Sequence, residues 1–535
     1  MSLLDIVSTE DEQFKQYYPK IMKKIEKKKL LEMEPTIDEI TKVNEIIIDY
    51  IKKNKKKVYG GIALNKLLIS KIPSLSIYDE TDTPDIEFYT PNPLDDLVKI
   101  CDELHNKGFK NVVGQEAQHK ETYSIFVNFQ LYCDITYMPS NIYNKIRYVQ
   151  MDGLNLIHPW FMTIDFFRMF TNPLVSFWRL EKHFMRYLKL QKTYPLPLIN
   201  KPLIIESYGT NEFNKIINLL ENFLAQKSSI IFTGFYIYNY YLTNSEYFKY
   251  DGRFKQIKMP YLEVYSTNYV QDGLDILSYI QELPEEIKKN ITHVEFYPFF
   301  QFYGYNTVFY YKDINTNTNI PILYLYSNNN KCIPYKEVPY LQFNKNKKEP
   351  NEKDFNKKSN TINIGSFDFN ILHALIILVK VRIDGDDDWN DILYTFINCL
   401  VSFRKHYFTK TKQTLYDDTI YEGFVINCKG ETISPEREKR LLIQQRKKSG
   451  KHGIYRYEAG ISKHPTQYYF ANSSGNAIKN KINFKLTLEN LNKKIEDQLS
   501  NELENELENE LTNESEQLPN EPENKFEQIS NESEK

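Results

Sequence analysis

Apolar positions along the chain change their period several times. In residues 1–50, Phe14, Tyr17, Tyr18, Ile21 and Ile25 stand three and four apart among lysines, which predicts a helical N-terminal segment. Between Val58 and Met138, alternating stretches and helical stretches take turns, as in an α/β unit spanning 51–140. Residues 141–200 then turn helical, with Phe161, Phe166, Phe170, Phe177 and Phe184 spaced as a stripe that reads as core. Residues 366–408 are helical again, with Leu372, Leu375, Ile376 and Val379 on one face. Residues 336–365 in between are polar and rich in Lys and Asn, so they read as a linker.

The pattern of the first unit recurs. YGGIALNKLL followed by PDIEFYTPN is echoed by FTGFYIYNYYL followed by PYLEVYSTN. After each copy come a helix-like segment and then alternating strands. Gly61 to Pro84 spans 23 residues and Gly234 to Pro260 spans 26. Two copies of this size predict tandem α/β domains rather than a short-period solenoid. The second copy is assigned to 201–335 and a mixed C-terminal region to 366–485.

A length of 535 residues allows about three to five domains. With 41% hydrophobic residues, the chain excludes a wholly disordered protein. Charge is uneven: the last forty residues hold fourteen acids and two bases, a net of −12, which leaves +9 on the rest of a chain whose total is −3. A basic body fits a polyanionic partner, and the acidic, low-complexity 486–535 reads as a solvated tail. Five scattered cysteines without a CxxC argue against a zinc site and against a disulfide-stapled fold, and predict a reducing compartment. The N-terminus lacks the pattern of a secretory signal, and the longest apolar run, Ile371 to Val379, is too short for a bilayer, so no membrane association is expected. Lys52 to Lys57 reads as a solvated helix end, and Asp384 to Trp389 as a turn feeding a helix over 390–400.

One constellation carries chemistry. Asp85 and Glu87 are separated by one residue in an apolar frame, so on a strand both carboxylates face the same side. Two like charges on one face call for a cation. Asp134, in the alternating segment QLYCDITYM, completes a three-carboxylate cup if that strand pairs alongside. Gly60 and Gly61 precede a helix, where bare amides and the helix dipole suit a phosphate. Carboxylate oxygens with phosphates suit Mg²⁺, and two such ions serve in-line displacement. Asp79 and Asp82 are rival acids, set aside because DETD lacks flanking apolar alternation.

Gly60-Gly61, Asp85-Ile86-Glu87 and Asp134 resemble the signature of polymerase-β-type nucleotidyltransferases. HPWFMTIDFFRMFTNPLVSFWRLEKHFMRY and FVINCKGETISPEREKRLLIQQRKKSGKHGIYRY more narrowly resemble the catalytic subunits of poxvirus and giant-virus poly(A) polymerases. The resemblance spans about residues 40–480. It departs from the usual pattern in a longer Gly61–Asp85 interval and in Glu for the commoner second Asp.

What the resemblance implies is an α/β (α+β) fold of tandem nucleotidyltransferase-like modules, the first active and the second degenerate. It implies addition of AMP from ATP to an RNA 3′-OH, with Asp85, Glu87 and Asp134 as metal ligands for Mg²⁺ or Mn²⁺ and Gly60 and Gly61 at the triphosphate. Arg179 and Lys182, three apart on one helix face, are candidate phosphate contacts. Tyr261 and Glu263 stand where Asp85 and Glu87 stand, so the second copy is expected to fold without holding metal. The basic run Arg437 to Lys451 with Tyr455 and Tyr457 is a candidate RNA contact. The resemblance also implies action in the host cytoplasm with packaging in the virion, and either a homodimer or a viral processivity partner. Rival readings are a nucleotidyltransferase with another acceptor and an inactive RNA-binding virion protein.

Overall fold

A computed structural model of the chain describes residues 11–478, apart from 34, 80–81, 197–199, 206–209, 315, 330, 342–360, 451–452 and 464–471. The acidic tail lies outside the described residues. Two helices open the chain, α1 (Asp11–Glu32) and α2 (Ile37–Lys53). The first α/β module follows with β1 (Lys57–Tyr59), α3 (Gly60–Lys71), β2 (Ile86–Thr90) and α4 (Pro93–Asn106). It continues with β3 (Val113–Glu116), β4 (Thr122–Val127), β5 (Gln130–Tyr137) and α5 (Ser140–Lys145). Next come β6 (Tyr148–Met151), β7 (Leu154–Ile157), α6 (Pro159–Phe170), α7 (Pro173–Ser176) and α8 (Leu180–Thr193).

The second half runs α9 (Asn211–Leu224), β8 (Ile230–Thr233), α10 (Tyr236–Ser245), α11 (Tyr247–Tyr250) and β9 (Leu262–Ser266). Then come α12 (Tyr269–Glu282), α13 (Glu285–Lys288), β10 (Ile291–Phe296), β11 (Asn306–Lys312) and β12 (Asn319–Ser327). It closes with β13 (Ile333–Pro339), β14 (Thr361–Gly365), α14 (Phe367–Asp384), α15 (Asp387–Thr411), β15 (Cys428–Lys429), α16 (Pro435–Lys448) and β16 (Arg456–Glu458).

The strands form two mixed sheets with matching topology. The first is ordered β16-β3-β4-β5-β2-β1-β7-β6 and the second β10-β11-β12-β9-β8-β14-β13-β15. In each, the opening strand pairs antiparallel with the next, which runs parallel to a third. Each opening strand also pairs parallel with a late strand, β7 or β14, that leads into a long helix, α6 or α14. Those two helices pack on one another, and the rings of Phe300 in the second module and Tyr89 in the first meet edge to face with centroids 5.7 Å apart.

Local chemistry explains the helix boundaries. Thr36 caps α2 by accepting from Glu39 N–H, and the helix buries Ile40, Val43, Ile47, Tyr50 and Ile51 against the first sheet. Gly385, at φ +84°, ends α14, and the Asp386 carboxylate caps α15 by accepting from Trp389 N–H. The turn between the helices is therefore only Gly385 and Asp386, and the rest of the acidic run is helical: Asp384 ends α14, and Asp387 to Trp389 open α15 rather than feed it.

Several expectations change. The 141–200 segment contributes β6 and β7 to the first sheet, because short strands hide beside a strong aromatic period. The 336–365 stretch contributes most of β13 and all of β14, so it is sheet at both ends rather than linker. The lysine run is only partly solvated: Lys56 pairs with buried Asp96 at 2.6 Å, and buried Lys57 donates to Ile146 O at 3.0 Å. Phe161, Phe166 and Phe170 are core as expected, whereas Phe177 is exposed. Cys332 and Cys428 form a disulfide despite lying 96 residues apart, because Pro334 pairs with Cys428 across β13 and β15. The other three cysteines are free and buried.

Candidate active site

Strand register sets Glu87 beside Asp134. Glu87 and Asp134 are direct partners on the parallel strands β2 and β5, and Asp85 stands just before β2, its charge acting on both. Tyr59, the last residue of β1, is the partner of Glu87 on its other flank, so the Gly60-Gly61 step lies beside that carboxylate. Gly61 N–H donates to Glu87 Oε2 at 3.0 Å, and Ser124 Oγ donates to Asp134 Oδ1 at 2.6 Å. Gly60 has φ +71°, and a Cβ there would fall on the Glu87 carboxylate. Only glycine satisfies both the backbone and the close approach.

The electrostatics match a crowded set of acids. Burial, then the Asp85 charge, push Glu87 up to about 8 against the opposing Gly61 N–H, with Asp134 and Asp165 adding to the rise. Burial also pushes Asp134 up to about 6, with the Ser124 hydroxyl opposing it and Asp85 adding to it. Among the described residues no three His, Cys, Asp or Glu side chains are gathered as a ready-made metal cluster. Glu87 and Asp134 each spend an oxygen on a protein donor instead. The donor set fits Mg²⁺ or Mn²⁺: it is all oxygen, and its carboxylates repel one another until a cation intervenes.

The candidate cations divide. Arg179 stands at the N-cap position of α8 without capping it through its side chain; burial lowers its guanidinium and the Glu87 carboxylate opposes that. Lys182 is exposed. Asp79 pairs with Lys23 on the surface and Asp82 accepts from Asp79 N–H, so neither joins the three acids. Tyr455 and Tyr457 are buried, Tyr457 donates to Asp102 at 2.6 Å, and Arg446 is paired with Glu116, so those three are not free to meet RNA. Lys451 lies outside the described residues.

Four residues escaped sequence reasoning. Tyr78 and Arg186 crowd Gly61: a Cβ there would lie 1.9 Å from Tyr78 Oη and 3.6 Å from Arg186 Nη1. Arg186 follows Arg179 by seven residues, two helical turns, and that spacing was a usable signal. Asp165 of α6 pairs with Arg168 at 3.2 Å and adds charge near Glu87. Lys331 of the second module donates to Gln301 O at 3.5 Å, and Gln301 also meets Arg168 of α6. Nothing in the spacing of the sequence links it to α6.

The second module repeats the frame with only one of the three acids, Glu263. Gly234 has φ +63°, and a Cβ there would meet the Glu263 carboxylate, as at Gly60. Glu263 pairs in register with Tyr324, the position of Asp134, and Tyr261 takes the place of Asp85. Tyr261 packs on Phe235, Tyr324 and Trp389, which fill the space where ligands would sit.

Comparison with known proteins identifies the family. The family described as "Poly(A) polymerase catalytic subunit" matches residues 45–176, and one described as "APMV, Putative poly(A) polymerase, catalytic subunit, C-terminal" matches 189–488. A protein of Acanthamoeba polyphaga mimivirus named "Putative poly(A) polymerase catalytic subunit" is 33% identical over 491 residues, 87% of this chain and 81% of that protein. The chain belongs to the viral poly(A) polymerase catalytic-subunit family. The crystal structure of the Megavirus polyadenylate synthase aligns with TM-score 0.77 and 32% identity, covering 89% of this chain and 93% of that one. A relative of the same name from African swine fever virus (strain Badajoz 1971 Vero-adapted) is 35% identical over 175 residues, 32% of this chain and 36% of its own length. The family's activity is polynucleotide adenylyl transfer, and the mixed α/β architecture with two sheets is shared with the Megavirus enzyme.

Proposed function

We propose that the chain extends RNA 3′ ends with AMP from ATP, without a template, at the site formed by Asp85, Glu87, Asp134 and the Gly60-Gly61 step. The observation that carries this reading is the Glu87–Asp134 register beside a glycine step that opens a helix. Asp85, Glu87 and Asp134 would hold the divalent ions; bound there, Mg²⁺ or Mn²⁺ supplies charge neutralisation for the triphosphate and favours ionisation of the 3′-OH.

The remaining work belongs to the chain's own groups. The Gly61 amide at the start of α3 faces the incoming phosphates once Glu87 turns away from it. Arg186 and Arg179, on the neighbouring helix, supply positive charge on the same flank. No side-chain nucleophile is needed, because alignment of the 3′-OH and the α-phosphorus carries most of the rate. The test is incubation with a labelled RNA primer, Mg²⁺ or Mn²⁺ and each nucleoside triphosphate separately. Long tails with ATP that vanish in Asp85→Ala support the reading. Short defined additions, or equal product from Asp85→Ala and wild type, overturn it.

A further inference from the structure

We propose that Trp178 and Phe177 form a stacking platform for unpaired bases of the RNA primer at the lip of the active site. This rests on the reading of the Asp85–Glu87–Asp134 site given above. Large aromatic side chains are usually well covered in a folded chain. Here two adjacent ones lie open, Phe177 72% and Trp178 66% exposed, on a short 3-10 turn between α7 and α8. Of the expected phenylalanine stripe, Phe161, Phe166 and Phe170 of α6 are buried and Phe184 of α8 packs on Phe170 and Phe424, so the stripe opens to solvent at this turn.

That place adjoins the chemistry. The Arg179 guanidinium lies 3.9 Å over the Trp178 ring and also feels the Glu87 carboxylate. Arg186, two turns along the same helix, lies over Gly61. The order along this flank is therefore open aromatic rings, then cations, then carboxylates. A single-stranded polynucleotide ending at the carboxylates would run its phosphates along the arginines and its bases against the rings. Two consecutive open rings suit consecutive bases, which favours the primer over the single adenine of ATP.

The three tryptophans make the test specific. Trp160 packs against Arg382 and Tyr394, and Trp389 against Phe235 and Tyr261, so only Trp178 is open to a ligand. Titrating the full-length protein with a short oligoadenylate should quench tryptophan fluorescence, and Trp178→Phe should abolish the quench while keeping near-normal primer affinity. Trp178→Ala should raise the KM for primer about 5- to 100-fold with the KM for ATP and kcat nearly unchanged. An unchanged primer KM in Trp178→Ala overturns the proposal. So does quenching by ATP alone with a raised ATP KM, or a fall in light-scattering mass, which would mark the patch as a contact with a second copy. Asp85→Ala separates the two readings: it should abolish product yet keep the oligoadenylate quench, whereas full activity in that variant would sink the site assignment and leave the platform standing.

Discussion

Glu263 stands in the second sheet where Glu87 stands in the first, but its Oε1 lies 3.1 Å from His373 Nε2 instead of facing other acids. His373 is the seventh residue of α14, and Asp165 is the seventh of α6, so the exchange of an acid for a histidine occurs at matching positions of matching helices. The second module has kept its glycine and its glutamate as packing elements.

That contrast gives a first prediction. Glu263→Gln should leave adenylyl transfer within about twofold of wild type and cost on the order of 1–3 kcal/mol of stability, since it alters a buried polar pair. Asp134→Asn should do the reverse: activity falls by about a thousandfold or more with a folded, heat-stable chain. Steady-state assays beside thermal unfolding check both. A Glu263 variant as inactive as the Asp134 variant would contradict the assignment of one working module.

The acids of the first module make stability depend on pH. In the folded chain Glu87 titrates near 8, above its ordinary value of 4.5, so the fold binds this proton more tightly than the unfolded chain does. Its contribution is fully present below about pH 4.5 and is lost as pH rises through 8. Without metal, Glu87→Gln should raise stability at pH 8 relative to wild type, on the order of 4 kcal/mol, and by about 1 kcal/mol or less at pH 5. Mn²⁺ affinity should strengthen over the same window, because cation and proton compete. Unfolding curves at the two pH values and a Mn²⁺ titration decide it.

Much of this site was legible because strands write their two faces into alternate residues. DIEFY and LYCDITY placed the acids before any pairing was visible, and the repeated glycine step exposed the duplication. The hidden parts are those fixed by long-range packing. Tyr78 reaches Gly61 because residues 72–78 fold back over α3, with Asn65 accepting from Ile77 N–H, and no local period records that. Strands β6, β7 and β14 are only four or five residues long and sit beside stronger helical signals. The partner of Cys332 was invisible because a separation of 96 residues carries no spacing rule.

Gly60→Ala should be far more damaging than Gly61→Ala. At residue 60 the added methyl must occupy the Glu87 carboxylate's place with φ held positive, whereas at residue 61 it meets the end of the Tyr78 side chain, which can swing aside. The expected loss of kcat/KM is about a hundredfold or more at 60 and within about tenfold at 61. Equal effects at the two positions would show that the contact with Glu87 does not matter.

Arg446 ties the C-terminal region to the first module. It forms a two-pronged pair with Glu116, whose side chain is 4% exposed, while Lys439 donates to Glu116 O. Arg446→Ala strands that carboxylate, so about 3 kcal/mol should be lost. Limited proteolysis should then cut between α16 and β16 faster than in wild type. Resistance equal to wild type would mean that the pair does not anchor the region.

Strand β16 borders β3 at the rim of the first sheet, more than 300 residues after β3 leaves the ribosome. Until that late strand arrives, β3 offers unsatisfied amides and carbonyls to whatever passes, and neighbouring nascent chains carry the same invitation. Premature termination before residue 456 thus does more than delete a surface: it leaves a sticky border on the half of the molecule that carries the acids, and clumping of such fragments should outpace any loss traceable to missing contacts.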